Sequence, residues 1–297
     1  MLLLMLSILI PTYNYNASPL IDSLLQQGKL LDHEFEIICC DDCSTDEAIL
    51  AENAAIASKA CCTYFRNSKN EGRTKTRTLL AEKAQYDWLL FLDADVLPVT
   101  EDFLLTYSKA LHPDTEVVLG GCQYSAKHKD PETALRWKFG MQRESQEATV
   151  RNKNPYSHIL SGNILLRKNV FQAVVFPTTK FYGMDIYFAY QLYLQKVNVF
   201  HINNPVYHLG LEPNADFFQK SLDAVRTRKE VLYGLPNIEQ VNPMLKHYKT
   251  LCNYGLRPFV SFGFTVVSGF LKKRILRANP NLFYFDLYRL GYLCSLK

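Results

Sequence analysis

The sequence lacks the features that mark several classes of protein. No run of residues reaches the ~20 apolar side chains that a membrane-spanning helix needs. No basic stripe interleaved with aromatic residues is present, and the formal net charge is only +4, so nucleic-acid binding is not predicted. Internal repeats and low-complexity linkers are also absent. The 297 residues, 48% of them hydrophobic, therefore indicate a well-packed globular protein.

Cysteine occurs eight times, but not in the pattern of a zinc finger. Cys40-x-x-Cys43 has the spacing of a redox pair or of two zinc ligands, yet no second Cys or His pair follows at finger spacing. Most of the cysteines lie in apolar runs. We therefore predict buried, reduced thiols in a cytosolic protein.

The apolar N-terminal segment, residues 1–10, has two interpretations. It is as hydrophobic as a signal peptide, but it has no basic region and no small-residue cleavage site. It also continues directly into Pro11-Thr12-Tyr13-Asn14. We expect it to form the buried first strand of a parallel sheet.

Apolar runs alternate with helical patterns through the first hundred residues. The predicted strands are Ser7–Ile10, Phe35–Cys40, Thr63–Arg66 and Trp88–Leu92, and the predicted helices are Pro19–Gln27, Asp46–Ala60 and Thr74–Ala84. This alternation indicates βαβ units and a mainly parallel sheet. Right-handed crossovers place the carboxyl ends of such strands at one edge, where ligands bind. Polar residues that follow the strands are expected to converge there.

The pattern is looser in the second part of the chain. The predicted strands are Glu116–Gly120, Ile164–Arg167 and Val197–Ile202, and the predicted helices are Asp102–Leu111, Asp185–Gln195 and Asp216–Leu232. The polar stretch 126–154 is typical of helix and loop, and the tail, residues 245–297, is aromatic and basic.

Two acidic motifs follow predicted strands. Asp93-Ala94-Asp95 comes directly after Trp88–Leu92, and its oxygens suit Mg²⁺ or Mn²⁺, which can also hold a diphosphate. A solvated turn would explain the same residues. Asp41 and Asp42 follow Phe35–Cys40 and can accept hydrogen bonds from a nucleobase or a ribose, whereas helix capping would explain only the nearby Ser44 and Asp46.

Three further polar positions also have alternative interpretations. Lys75 and Arg77, near a helix start, can meet a phosphate or orient an acid, or can simply be solvated. Asp185 can be a general base for an acceptor hydroxyl or a first-turn residue favoured by the helix dipole. His208 follows a short apolar stretch and is either structural or a metal ligand.

The order and spacing of these motifs resemble those of the family 2 glycosyltransferases, which have the GT-A fold. The matching segments are residues 7–14 (SILIPTYN), 41–46 (DDCSTD), 70–77 (NEGRTKTR), 92–95 (LDAD), 161–163 (SGN) and 183–185 (GMD). The resemblance covers roughly residues 5–215. It implies a Rossmann-like, mainly parallel sheet flanked by helices, followed here by a helical C-terminal extension.

The resemblance also implies roles for individual residues. Asp185 would be the catalytic base, and Asp95 and His208 would be the metal ligands. The donor nucleotide-sugar would be held by Pro11, Thr12, Tyr13, Asn14, Asp42, Gly72, Arg77, Asp93 and Ala94. The implied cofactor is Mn²⁺ or Mg²⁺, the implied donor is a UDP-sugar, and the implied acceptor is a glycan or a lipid-linked glycan.

The sequence departs from the family pattern at two positions and lacks one of its motifs. Cys43 stands where Gly or Asn is usual, and Met184 replaces the acid that usually precedes the base. No Q-x-x-R-W motif follows Asp185, so a processive synthase is not expected.

The resemblance predicts an inverting, non-processive transferase acting in glycan or cell-surface polysaccharide synthesis. The alternatives are a nucleotidyltransferase or pyrophosphorylase, and an inactive sugar-binding module. The expected layout is a catalytic domain at 1–232, with its nucleotide-binding half at 1–100 and its acceptor half at 101–232, followed by a C-terminal region at 233–297.

The C-terminal tail leaves two hypotheses open. Residues 258–270 are apolar, and residues 271–277 (LKKRILR) add four cations beside them. Such a segment can lie among anionic lipid headgroups at the cytoplasmic face of a membrane, where a lipid-linked acceptor would be found. Alternatively, Phe259, Phe262, Phe264 and Phe270 pack on the catalytic domain and leave the cations solvated.

Overall fold

The computed structural model describes residues 5–177 and 182–297. The strands are β1 (Leu6–Thr12), β2 (Phe35–Asp41), β3 (Cys62–Arg66), β4 (Trp88–Leu92), β5 (Val96–Pro98), β6 (Val117–Leu119), β7 (Cys122–Gln123), β8 (Asn163–Arg167), β9 (Val199–His201) and β10 (Val206–His208). The helices are α1 (Ser18–Gly28), α2 (Glu47–Ala54), α3 (Arg73–Lys83), α4 (Phe103–Lys109), α5 (Ala134–Phe139), α6 (Ala148–Arg151), α7 (Lys168–Gln172), α8 (Met184–Leu194), α9 (Asn214–Thr227), α10 (Pro243–Asn253), α11 (Arg257–Ile275) and α12 (Leu282–Ser295).

The first strand is apolar on both faces because helices cover both sides of the sheet. Ile8 and Ile10 belong to the cluster that contains Leu24 of α1, whereas Leu9 belongs to the opposite cluster with Leu80 of α3. Successive side chains of a strand point to opposite faces, so a strand covered on both sides has no polar alternation. The predicted buried strand is confirmed over Leu6–Thr12, while residues 1–4 lie outside the described part.

The main sheet has the strand order β3-β2-β1-β4-β8-β6-β9. The pairs β1–β2, β2–β3, β1–β4 and β6–β9 are parallel, and β8 runs antiparallel to both β4 and β6. The predicted, mainly parallel sheet is therefore confirmed, with one reversed strand. From β1 the chain builds outward to β3 and then returns to the other side of β1 at β4, which leaves a ligand crevice at the carboxyl ends of β1 and β4.

A second, three-stranded sheet was not predicted. It has the order β5-β10-β7, and its strands contain only two or three residues each. In the antiparallel β10–β5 pair, His208 lies opposite Val96. This pairing brings a residue from late in the chain next to the end of the Asp93-Ala94-Asp95 segment, a D-x-D motif.

Two predicted helices are shorter than expected. α2 ends at Ala54 and continues as a 3₁₀ turn, Ala55–Ser58, and α9 ends at Thr227 and continues as a π turn, Arg228–Leu232. At its start, α2 is capped by the Asp46 carboxylate, which accepts from the backbone N–H groups of Ala48 and Ile49 at 3.0 and 3.1 Å.

The C-terminal region is helical, as predicted, and packs on the preceding part of the chain. Leu271, Ile275 and Phe285 are buried against Phe217 and Phe218 of α9. A second cluster joins the π turn to α10 and α12 across the predicted domain boundary at residue 232. Among the described helices, none combines the length and the apolarity that crossing a bilayer requires.

Candidate active site

An open cleft of about 650 Å³ lies at the predicted edge of the main sheet. Its lining residues come from a stretch of more than 200 positions, from Pro11 to Phe217. The predicted site residues that line it are Pro11, Thr12, Tyr13, Asp42, Gly72, Asp93, Ala94, Asp95, Asp185 and His208. Asn14 and Arg77 do not line the cleft. Asn14 bonds to the loop that follows β2, and Arg77 bonds to Asp93.

Asn14 links the loop that follows β1 to the loop that follows β2. Its backbone N–H donates to Ser44 Oγ at 2.7 Å, and its Oδ1 accepts from the backbone N–H of Thr45 at 2.8 Å. Its φ of +48° is the left-handed conformation that Asn tolerates better than most residues. Asn14 therefore holds the loop that carries Tyr13 rather than facing the cleft itself.

Asp42 is a buried anchor with one side toward the cleft. Its Oδ1 accepts from the Glu71 backbone N–H and from Asn67 Nδ2, both at 2.8 Å, and its Oδ2 accepts from the Gly72 N–H at 2.7 Å. Gly72 has a φ of +83°, which favours glycine, at the start of α3. Because a carboxylate oxygen has two lone pairs, Oδ2 retains capacity for one further donor.

Two arginines from one face of α3 hold Asp93. Arg77 Nη2 donates to Asp93 Oδ1 at 2.7 Å, and Arg73 Nη2 donates to Asp93 Oδ2 at 2.6 Å. Burial would raise the pKa of Asp93, but Arg73 and Arg77 outweigh it and lower the pKa to about 2. Asp93 is therefore ionised, and each of its oxygens already accepts one charged donor.

Arg73 also lies close to the candidate base, Asp185. This contact was not predicted from the sequence. Arg73 Nη1 lies 3.5 Å from Asp185 Oδ2, and Ser161 Oγ donates to Asp185 Oδ1 at 2.5 Å. Asp185 stands in the first turn of α8 after Gly183, whose φ is +99°, and its side chain is 38% exposed. One guanidinium thus joins Asp93 to Asp185.

Of the two alternatives left open for Lys75, the structure matches the solvated one, because its side chain is 58% exposed. Lys75 Nζ pairs with Glu71 Oε2 at 2.8 Å, and Lys75 does not line the cleft. Arg73 and Arg77 are four positions apart, so they lie on the same face of α3. That spacing was the signal in the sequence that could have identified Arg73.

Asp95 and His208 form the second polar centre of the cleft. His208 Nε2 lies 3.4 Å from Asp95 Oδ2. Burial raises the pKa of Asp95 and lowers the pKa of His208, so the imidazole is favoured in the neutral form that a metal ligand requires. Gly210 leaves room for the carboxylate, because a Cβ there would lie 2.0 Å from Asp95 Oδ2.

The same pair fits a divalent cation. His208 Nε2 and Asp95 Oδ2 lie 3.4 Å apart, so a neutral imidazole nitrogen and a carboxylate oxygen are available side by side as donor atoms. Residues 5–177 and 182–297 contain no group of three His, Cys, Asp or Glu side chains arranged to hold a metal. The protein would thus supply two ligands, and Mg²⁺ and Mn²⁺ sites commonly take further ligands from water and substrate phosphates.

The profile of glycosyl transferase family 2 matches residues 7–175, more than half of the chain. The chain belongs to this family. A curated relative, an uncharacterized glycosyltransferase of Haemophilus influenzae, is 38% identical over 93 residues, which are 31% of this chain and 29% of the relative. The match thus spans less than a third of the relative's length.

Two solved structures share the fold of this family 2 chain at low identity. The mannosyltransferase PcManGT from Pyrobaculum calidifontis, in complex with GDP-Man and Mn²⁺, has a TM-score of 0.62 and 15% identity over 98% of this chain and 85% of that chain. S. aureus TarS 1–349, in complex with UDP-GlcNAc, has a TM-score of 0.53 and 18% identity over 96% of this chain and 78% of that chain. The predicted GT-A fold is confirmed.

The wall of the cleft beside His208 contains a buried polar cluster that the sequence analysis missed. Arg136 Nη2 donates to the Tyr124 hydroxyl at 2.6 Å and to Glu144 Oε2 at 3.0 Å, and the Tyr124 hydroxyl also donates to Glu144. The Tyr124 and His208 rings are 5.5 Å apart. Tyr124 of this cluster therefore lies beside His208. Arg136 and Glu144 belong to a polar stretch with no periodic signal in the sequence.

Arg73→Gln is expected to lower glycosyl transfer by about 10–100-fold. Charge-assisted hydrogen bonds contribute roughly 1.5–3 kcal/mol each, and the variant removes the cation shared by Asp93 and Asp185. Donor hydrolysis or transfer by the purified variant measures the effect. Lys75→Gln is the matched control, because it removes the same charge two residues away outside the cleft. Equal losses in the two variants would contradict a specific role for Arg73.

Proposed function

We propose that this family 2 chain is an inverting, non-processive glycosyltransferase that moves a sugar from a UDP-linked donor to a hydroxyl acceptor. One observation carries the proposal. A candidate metal pair, Asp95 and His208, and a candidate base, Asp185, line the same cleft, and Arg73 ties the base to the D-x-D acid Asp93. Glycan or cell-surface polysaccharide synthesis in the cytoplasm is the proposed setting, and the eight free cysteines support a reducing compartment.

Asp185 would remove the proton from the acceptor hydroxyl as its oxygen attacks the anomeric carbon. The bond from that carbon to the diphosphate oxygen breaks, and the electron pair stays on the leaving oxygen. Ser161 and Arg73 would hold the Asp185 carboxylate in orientation during this step. A single displacement inverts the configuration.

A double displacement would need a second carboxylate free to attack the sugar. Asp93 is poorly suited to that role, because Arg73 and Arg77 each engage one of its oxygens and lower its pKa, which lowers its basicity. A carboxylate paired in this way is a weaker nucleophile than a free one. The ion pairs of Asp93 therefore support inversion.

Asp95 and His208 would hold Mn²⁺ or Mg²⁺. The bound ion would supply positive charge that stabilises the diphosphate leaving group. On the nucleotide side, Asp42 Oδ2 has room for one N–H donor of a base, and Tyr13 is 49% exposed on the cleft. Complexes of PcManGT with GDP-Man and Mn²⁺ and of TarS with UDP-GlcNAc support a nucleotide-sugar donor.

The alternatives are a nucleotidyltransferase or pyrophosphorylase, and an inactive sugar-binding module. A nucleotidyltransferase normally opens with a glycine-rich basic phosphate loop, and residues 10–16 contain neither glycine nor a basic residue. An inactive module has no need for acids at all three of the positions 93, 95 and 185.

Calorimetry and a donor screen separate these functions. We expect UDP to bind in the presence of Mn²⁺ and at least one UDP-sugar to be hydrolysed to UDP and free sugar. Pyrophosphate-dependent formation of a nucleoside triphosphate would favour the pyrophosphorylase. Binding without hydrolysis or transfer across UDP- and GDP-sugars would favour the inactive module.

A further inference from the structure

The helix α11 presents an apolar stripe that nothing in the described structure covers. Phe259, Phe262, Val266 and Phe270 are 75%, 73%, 71% and 53% exposed. They are three or four positions apart, so they form one face of the helix, which we call the aromatic face. On the neighbouring helix α12, Phe283 is 69% exposed and its ring lies 6.0 Å from that of Tyr284, which is in turn 6.1 Å from Phe270.

The aromatic face is distinct from the part of α11 that packs on the protein. Leu271 and Ile275 are buried, and Phe264 packs on α12, with its ring 4.9 Å from Tyr288. A Cβ on Gly291 would lie 2.6 Å from the Phe264 ring, which shows how closely the two helices approach there. Of the four phenylalanines expected to be either packed or membrane-facing, therefore, only Phe264 is packed. Exposed aromatic patches of this kind mark interaction surfaces.

Cations continue the aromatic face at its C-terminal end. Lys273 and Arg274 follow Phe270 by three and four positions, and the Arg274 guanidinium carbon lies 5.3 Å from the Phe270 ring centroid. Arg277 follows just beyond the helix. Residues 245–297 contain nine Lys and Arg residues and a single acidic residue, Asp286. A partner that covers this surface should therefore be both apolar and anionic.

We propose that the aromatic face docks on a lipid surface that carries anionic headgroups. The aromatic side chains would enter the boundary between headgroups and acyl chains, and Lys273, Arg274 and Arg277 would bind the headgroup phosphates. An amphipathic helix that lies in the interface plane needs both features. A protein partner would need an acidic rim around an apolar groove, whereas an anionic bilayer supplies both along its whole surface.

The docking surface is connected to the wall of the cleft. The tail packs on α9 and on Leu135 of α5, and these two helices also contribute Phe217 and Arg136 to the cleft lining. Lys138 of α5 donates to the Pro280 carbonyl at 2.8 Å, and Arg143 pairs with Asp286 at 2.7 Å. If the proposed function holds, this connection would present the cleft to a lipid-linked acceptor in the same membrane.

Sedimentation of the full-length chain with vesicles tests the docking surface without any measurement of activity. The vesicles contain phosphatidylcholine alone or with about one third phosphatidylglycerol. The first variant carries Phe259→Gln, Phe262→Gln and Val266→Gln, and its matched control carries Leu30→Gln, Val175→Gln and Phe200→Gln at other exposed apolar positions. The second variant carries Lys273→Gln, Arg274→Gln and Arg277→Gln, and its control carries Lys29→Gln, Lys109→Gln and Lys153→Gln.

The wild-type chain is expected to bind the anionic vesicles at low salt and to leave them at high salt. Each cation near an anionic surface contributes about 1 kcal/mol, so the triple cation variant should lose about 10²-fold in partitioning. The aromatic variant should lose at least about 10-fold, and both controls should bind like the wild type. Equal losses in a variant and its control, or no binding by the wild type, would overturn the proposal.

Phe262→Trp adds a test that relies on a gain of signal. The wild-type chain contains two tryptophans, the buried Trp88 and Trp137 of α5, so the difference in emission between the variant and the wild type reports the surroundings of the new tryptophan on the aromatic face. Its emission should shift to shorter wavelength on anionic vesicles. An unshifted emission, together with concentration-dependent dimerisation that the aromatic variant abolishes, would assign the face to a second copy of the chain instead.

Discussion

Asp185→Asn is expected to lower glycosyl transfer by about 10²–10⁴-fold, the usual contribution of general-base catalysis. The amide keeps the size of the side chain and can still accept from Ser161, but it cannot take a proton from the acceptor hydroxyl. Affinity for UDP with Mn²⁺ should stay unchanged, because the proposed contacts to the nucleotide come from the loops after β1 and β2. Donor hydrolysis or transfer and calorimetry, on the same preparation, measure the two effects.

Asp216→Asn is the matched control for this variant. Asp216 is another acid in the first turn of a helix, α9, and it is exposed outside the lining of the cleft. It should retain full activity, because it shares the helix-dipole environment of Asp185 but not its position. If Asp185→Asn instead weakens UDP binding, or retains activity, Asp185 is not the base.

Asp95→Ala should abolish metal-dependent transfer, with a loss of about 10³-fold or more. A divalent ion contributes several kcal/mol of charge stabilisation at a diphosphate leaving group. The variant leaves His208 as a single candidate ligand from the protein, and its imidazole also loses its carboxylate partner at 3.4 Å. A titration of activity with Mn²⁺ should no longer saturate in the range of the wild type.

The fold should tolerate this change, because Asp95 lies on a polar edge of the sheet. Burial raises the pKa of its carboxyl group, so the ionised side chain does not stabilise the folded state. In the absence of metal, the midpoint temperature of thermal unfolding of the variant should therefore be equal to or higher than that of the wild type. Asp114→Ala, at an exposed acid in a loop away from the cleft, is the control. Wild-type activity in Asp95→Ala would remove Asp95 from the metal site.

The first half of the fold could be predicted because its signals are local. β1, β2 and β4 are apolar runs separated by helical patterns, and the burial of these strands on both faces explains why the runs are continuous, whereas the edge strand β3 is only partly buried. The convergence of Asp42, Asp93 and Asp95 follows from the same topology. Parallel strands with helical crossovers leave their carboxyl ends at one edge, whatever the details of packing.

The contacts within the cleft could not be derived in this way. Arg73 and Lys75 have the same charge and lie two residues apart, yet only Arg73 faces Asp93 and Asp185. Which side of α3 faces the cleft depends on how the helix packs against the sheet. Similarly, the cluster of Tyr124, Arg136 and Glu144 lies in a polar stretch in which neither helical nor strand period is clear.

By itself, the sequence determined the parallel sheet, the edge at which the candidate site lies, the family and the helical character of the tail. Only the tertiary structure decided that His208 lies beside Asp95 and that one stripe of α11 is exposed among the described residues. The pairing of β5 with β10 joins three-residue strands more than a hundred positions apart, which are too short to carry a period. The orientation of α11 depends on the surfaces of α9 and α12, and an apolar helix has the same local sequence signal whether it is covered or exposed.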